Sequence, residues 1–176
     1  MKSTCTLYGL VNNAGWDEAR NFIDTEPAFW RKVIDINLYG TLNMTHVACR
    51  HMAAANEGRV VSIASDAGRV GSSGEAVSSA ANGGTIALMK TLAREFARQG
   101  ITFNSVCPGP TETPLLASFN ESSGGKLVPA LERSVPMKRL AQPSDFPQVV
   151  SMFLDPASSY ITGQTISVSG GLSMHG

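Results

Sequence analysis

Apolar positions along the chain follow two rhythms. Four short runs rich in β-branched residues, Leu7–Asn12, Arg59–Ala64, Thr102–Cys107 and Thr165–Val168, punctuate longer stretches with helical spacing. Three of the four runs are apolar almost throughout. Strands covered on both faces have that pattern, which predicts a parallel sheet with helical crossovers and an α/β class. The first crossover is predicted from Thr25, a favourable N-cap, with Pro27 in its first turn, and runs through Phe29, Trp30, Val33, Ile34 and Ile36 to about Met52. The second is predicted over Ala76–Gln99, rich in Ala, Leu and Met, with Arg94 and Arg98 near its negative end and Gly100 as its stop. Residues 108–136 are rich in Pro, Gly, Ser, Thr and Asn, including Ser122-Ser123-Gly124-Gly125. They predict a long mobile loop with at most short helices. A last helix is expected from Pro143, with Phe146, Val149, Val150 and Phe153 on one face, ahead of the final strand and Gly170-Gly171.

Composition narrows the function classes. A chain of 176 residues with 43% apolar side chains can bury one domain-sized core, so disorder is excluded as its main state. Fourteen basic residues balance fourteen acidic ones, which removes the electrostatic footprint of a nucleic-acid binder and argues against an anionic membrane surface. Cys5, Cys49 and Cys107 are widely spaced, with no CxxC pair and no histidine at ligand spacing, so neither a metal site nor a disulfide framework is expected. Met1–Cys5 lacks an apolar signal core, and no run of apolar residues is long enough to span a bilayer. A reduced, cytoplasmic protein is the expectation, and the sequons at Asn43 and Asn120 are then coincidental.

Several familiar chemistries fail on inspection. Gly71-Ser72-Ser73-Gly74-Glu75 lacks the last glycine of a hydrolase elbow, and the stretch around Gly125-Lys126 lacks the glycine and hydroxyl of a phosphate loop. His46 and His51 are off the spacing that would share a metal, and Met44, Met52 and Met89 read as core filler.

A different set of residues does converge on a known pattern. Leu10-Val11-Asn12-Asn13-Ala14-Gly15 closes the first run, and then come Asn37 in Ile36-Asn37-Leu38-Tyr39-Gly40 and Ser65 in Ser62-Ile63-Ala64-Ser65. Pro108-Gly109 with Thr111 and Thr113 follow, and Ile161-Thr162-Gly163-Gln164 precedes Gly170-Gly171. In this order the motifs resemble the short-chain dehydrogenase/reductase family over nearly the whole chain from Leu7. The run Ala64–Val77 is most similar to 2-hydroxycyclohexanecarboxyl-CoA dehydrogenases, beside 3-oxoacyl reductase-like members. The resemblance implies the C-terminal part of a Rossmann-like parallel sheet of about four strands, NAD(P) as cofactor, and an acyl-CoA-type ligand. It assigns Ser65 to the substrate carbonyl and Asn37 to a helix bend holding a relay water. Asn12, Ala14, Gly15, Pro108, Gly109, Thr111 and Thr113 fall at its cofactor contacts, and residues 109–136 at its substrate loop. Plainer readings stand beside these roles: a turn-making serine at 65, a backbone-bonding polar residue at 37, and a strand-ending turn at 108–109.

The departures from the family pattern matter as much as the matches. No TGxxxGxG loop occurs in the 176 residues, and the spacing of Gly68, Gly71 and Gly74 cannot supply one. On that basis residues 1–176 are expected to be a single truncated Rossmann-like domain without the nucleotide-binding half. The family's catalytic Tyr and Lys stand four residues apart on one helical face, and here Ser78 and Asn82 occupy those positions within the retained Ser79-Ala80-Ala81 and Gly83-Gly84 context. A serine hydroxyl is a far weaker acid than a phenol next to an ammonium group, and it is shorter. Asparagine has no charge to lower a neighbouring pKa or to hold a ribose. Loss of a positioned acid costs about 10²–10⁴ in rate, so the chain is expected to be catalytically inactive. The alternative is an oxidoreductase subunit or fragment whose nucleotide-binding half comes from another chain.

Right-handed crossovers would place the four strands in chain order, leaving Leu7–Asn12 at an edge where the family has a further strand. An apolar edge and uncovered sheet surface favour association, so a homo-oligomer or a complex with a homologous subunit is expected.

Overall fold

The computed structural model describes residues 6–175. Calls on Cys5 and the Met1–Cys5 leader therefore lie outside the described residues. The sheet contains β1 (Gly9–Asn12), β2 (Gly58–Ile63), β3 (Ile101–Pro108) and β4 (Thr165–Val168), all parallel and in chain order. Leu10 pairs with Val60 and Val60 with Phe103, while Val106 pairs with Ile166.

Only the two middle strands are covered on both faces. Val60, Val61, Phe103 and Val106 are fully buried, as their unbroken apolar runs require. The outer strands differ from that expectation. β1 leaves Val11 40% exposed, and β4 is half-buried throughout. β1 has a neighbour on one side only, so its other row of amides and carbonyls has no sheet partner among the described residues.

The first crossover is one continuous rod made of three segments: α1 (Pro27–Ile34), a π-helical stretch Asp35–Tyr39, and α2 (Gly40–Ala55). It starts one residue later than predicted. Glu26 is the N-cap and Pro27 the first helical residue, where its missing N–H costs nothing. Thr25 is occupied elsewhere: its hydroxyl donates to the Phe22 carbonyl and accepts the Trp30 indole N–H at 2.7 Å. The rod ends beyond Met52, at Asn56 in a left-handed conformation.

After β2 comes a short helix, α3 (Ala67–Val70), that the apolar pattern does not announce, and then α4 (Ala76–Glu95). Residues 97–99 add a 3₁₀ turn before Gly100, whose φ of +67° makes the sharp entry into β3. The expected loop region carries two short helices, α5 (Pro114–Ser122) and α6 (Leu127–Ser134), within what its composition allowed. The hydroxyl of Thr113 accepts the Leu116 N–H and caps α5, which fixes where the first of them begins. A 3₁₀ turn at Pro143–Asp145 precedes α7 (Pro147–Leu154).

The helices cover both faces of the sheet. On one side Ala48, Cys49 and Met52 of α2 and Met89 and Ala93 of α4 pack on Val60, Ile101 and Phe103. On the other, Phe153 of α7 packs on Val61 and Val106, with Phe146, Val149 and Val150 beside it. Met52 and Met89 are core, as read from sequence; Met44 is 56% exposed and is not.

Candidate functional site

The residues singled out by the motifs gather at the carboxyl ends of β1, β2 and β3, where open parallel sheets place ligands. Ser65 follows β2. Its hydroxyl accepts the Ala67 N–H at 3.1 Å and so starts α3. α3 then packs directly onto α4: a Cβ on Gly68 would lie 2.7 Å from Asn82 Cβ and 2.8 Å from the Gly83 nitrogen. This close approach brings the Ser65 segment against the turn carrying Ser78 and Asn82.

Ser78 and Asn82 share a helical face and satisfy each other. Asn82 Nδ2 donates to the Ser78 carbonyl at 3.0 Å and to Ser78 Oγ at 3.3 Å. The side chain is thereby folded back along its own helix.

Asn37 lies inside the π-helical stretch, and its amide clamps the loop after β1. Oδ1 accepts the Trp16 N–H at 2.9 Å and Nδ2 donates to the Trp16 carbonyl at 2.6 Å. Its own carbonyl accepts the Thr41 hydroxyl at 3.2 Å. The side chain therefore bonds backbone, and it does so from within the π-helical stretch.

Asn12 is turned into the protein. Its Nδ2 donates to Thr45 Oγ1 and Ser62 Oγ, both at 3.0 Å, and Ser62 Oγ donates to Met89 Sδ at 3.3 Å. This network ties β1 and β2 to α2 and α4. Ala14 and Gly15 are exposed beyond the strand, Gly15 closely enough to the Asn37 amide that a Cβ would lie 3.1 Å from Oδ1.

Pro108-Gly109 forms the strand-ending turn. The Gly109 N–H donates to the Val168 carbonyl at 3.0 Å, and a Cβ there would lie 2.8 Å from Ser169 Cα. Thr111 Oγ1 donates to the Gly109 carbonyl at 2.8 Å, and Thr113 caps α5.

Two acids near this region did not stand out in the sequence. Asp66, next to Ser65, is buried, and its carboxylate accepts the hydroxyls of Ser167 and Ser173, while Arg69 Nη1 donates to Ser167 Oγ at 2.9 Å. Burial, reinforced by Asp66, pushes the Cys107 thiol up to about 12, so it is a poor nucleophile. Asp17 is only 6% exposed and lies by the first turns of α4. Oδ1 accepts the Glu18 N–H at 2.8 Å, but Oδ2 is buried without a hydrogen-bond partner. Burial pushes its carboxyl up to about 6; the Glu18 amide draws it back, the Glu75 carboxylate raises it, and the neighbouring Ser78 hydroxyl lowers it. Ser78 Oγ accepts the Asn82 amide at 3.3 Å and keeps its own proton, so its hydroxyl still acts on the neighbouring Asp17 carboxyl. An acid directly after a signature turn was visible in the sequence; its burial was not.

Parallel strands with helices on both faces define a Rossmann-like α/β protein, with a polar cluster at the strand carboxyl ends. A family model described as Enoyl-(Acyl carrier protein) reductase matches residues 1–173. The chain belongs to the short-chain dehydrogenase/reductase family. An acetoacetyl-CoA reductase of Acinetobacter is 36% identical over 166 residues, 94% of this chain and 65% of that protein. A 3-oxoacyl-[acyl-carrier-protein] reductase of Synechocystis is 37% identical over 166 residues, 94% of this chain and 64% of that protein. Among solved structures, an actinorhodin polyketide ketoreductase variant with NADPH superposes with a TM-score of 0.89 at 33% identity, covering 94% of this chain and 67% of that one. The chain thus spans about 65% of the length of curated relatives it matches. No helix among the described residues is long and apolar enough to cross a membrane.

Proposed function

We propose that this chain is an oxidoreductase-derived protein of the ketone and hydroxyacyl-thioester class that does not carry out hydride transfer by itself. The observation that carries this reading is the pairing of Ser78 with Asn82: the two positions that should present a phenol and an ammonium group hold neutral groups bonded to each other. A ketone receiving hydride needs a proton at its oxygen, and neither side chain is acidic enough to deliver one near neutral pH. Ser65 retains a hydroxyl suited to orienting a carbonyl. Residues 109–136, built on α5 and α6, form the proposed wall of a cleft for an acyl-CoA-type ligand.

The residues present do not by themselves fit a dinucleotide. Asn12, Asn82, Thr111 and Thr113 spend their polar groups inside the protein, and no glycine-rich turn in the 176 residues offers amides to a pyrophosphate. Binding of NAD(P) is therefore proposed to be lost or severely weakened in this chain. The one-sided edge of β1 favours a second reading, an oxidoreductase subunit completed by the nucleotide-binding half of another chain. The proposed setting is a cytoplasmic homo-oligomer or a complex with a homologous subunit.

The test is a nucleotide titration together with a turnover assay on acetoacetyl-CoA and 2-hydroxyacyl-CoA, with the chain alone and mixed with the N-terminal half of a family member. No nicotinamide-dependent turnover is expected in either case. Steady turnover by the purified chain alone would falsify the inactive reading, and turnover only in the mixture would establish the second.

A further inference from the structure

The segment between β1 and α1 is an irregular strap fastened at separate points. Asn37 grips the Trp16 backbone on both sides, and the Arg20 N–H donates to the Gly74 carbonyl at 2.9 Å, just before α4. Phe22 stacks on Trp30 at 5.6 Å, and Thr25 accepts the Trp30 indole N–H. Between the first two fastenings sits Asp17, buried against α4 with one oxygen unbonded.

The hydrogen bonds at Asn37, Gly74 and Thr25 and the Phe22–Trp30 stack involve no ionisable group, whereas Asp17 is one. As a neutral carboxyl it can rest in this crevice and donate its proton to a neighbouring oxygen. As a carboxylate it is a buried charge facing like charges: Glu75 from the start of α4 and Glu18 from the strap. Arg20 also lines the crevice, but its guanidinium is paired with Glu18 at 2.7 Å and lies over the Phe29 ring. From α1, Lys32 is spent on the face of Trp16, with Nζ 3.4 Å from the ring centroid. No cation is therefore committed to Asp17.

We propose that residues 16–24 are a pH-sensitive strap, held over the Ser78 turn of α4 by neutral Asp17 and released when Asp17 ionises. Release would uncover the crevice lined by Phe22, Phe29 and Val77 and the helix turn that carries Ser78. With Asp17 near 6 in place and at an ordinary 3.8 once freed, tenfold per pH unit makes the ratio of closed to open strap fall by about 100-fold between pH 4 and pH 8. This goes beyond the proposed function and does not depend on turnover, so either can fail without the other.

The chain carries its own reporters. Its two tryptophans, Trp16 and Trp30, sit on and against the strap. Quenching of their fluorescence by acrylamide, followed from pH 4.5 to 8 in the intact chain, should rise as the pH approaches about 6 and level off above it. Asp17→Asn should remain weakly quenched throughout. Glu75→Gln removes a like charge that faces ionised Asp17 in the closed strap, so it should weaken release and move the rise in quenching to higher pH. Any response arising from His46 or His51 on α2, or from His175 near the C-terminus, would survive in Asp17→Asn. A flat profile in the parent, or an unchanged transition in Asp17→Asn, overturns the proposal. Should Asp17→Asn fail to fold by circular dichroism, an unmoved transition or a move to lower pH in Glu75→Gln overturns it instead.

Discussion

At the scale of single residues, burial decides more than identity. Asp17 and Asp66 are both buried carboxylates near the strand ends, yet Asp66 accepts two serine hydroxyls while Asp17 leaves an oxygen unbonded. The consequence for stability has a definite sign. In the unfolded chain Asp17 ionises near 3.8 and in the folded chain near 6, so the folded state holds its proton longer. Stability contributed by the neutral form is complete below about pH 4 and is lost as pH rises through about 6. At about 1.4 kcal/mol per pH unit, and discounting for solvent at the crevice mouth, the loss is about 2 kcal/mol. Asp17→Asn should therefore raise the melting temperature at pH 7.5 and leave it nearly unchanged at pH 4, measured by differential scanning calorimetry. An equal effect at both pH values would mean that packing, not charge, limits the site. Repair of the candidate centre belongs to the same scale. Ser78→Tyr with Asn82→Lys should leave the chain without turnover when assayed alone, since a proton donor does not supply a hydride donor. Activity in the doubly substituted chain alone would show that the nucleotide half is dispensable.

At the scale of elements, two close contacts set the geometry of the site. The π-helical stretch at Asp35–Tyr39 carries Asn37, whose amide takes the Trp16 backbone, and the loss of two hydrogen bonds in Asn37→Ala should destabilise the fold by about 1–3 kcal/mol. Urea titration would measure this, with proteolysis first appearing in residues 16–24. The contact of α3 with α4 allows no side chain at Gly68. A methyl group there would meet Asn82 and the Gly83 backbone, so Gly68→Ala should cost about 1–3 kcal/mol through displaced helices. A melting temperature unchanged by Gly68→Ala would show that the two helices are free to separate.

At the scale of the whole molecule, uncovered apolar surface argues for association. Tyr39, Met44 and Val47 are each more than half exposed on one rod, and Val11 on the edge strand and Leu7 just before it are about two-fifths exposed. The second long helix is different: its exposed positions include Lys90, Thr91, Arg94 and Glu95, so the apolar exposure is concentrated on the first crossover. Burial of about 1,600 Å² between two molecules would remove this surface from water. Light scattering over a dilution series should show a dimer or larger species at micromolar concentration. A monodisperse monomer with cooperative thermal unfolding would show that the four-strand sheet covers itself sufficiently.

Periodicity and motif order were enough to establish the α/β class, the parallel sheet in chain order, and the positions of Ser65, Ser78 and Asn82, because strand and helix rhythms and helical spacing are local properties. In residues 108–136 composition allowed short helices without placing them, and the Thr113 cap sets where the first begins; at Thr25 it was a poorer guide, because that hydroxyl is claimed by Trp30. Which polar groups face a ligand and which face the core was decided only by tertiary structure. Asn12 bonds Thr45 and Ser62, Asn82 bonds Ser78, and Asn37 bonds Trp16, partners up to 50 residues away that no local spacing identifies. The same holds for Asp17. Its identity is written in the chain, but its ionisation depends on solvent excluded by a helix that begins almost 60 residues later, and long-range burial has no signature in a local pattern.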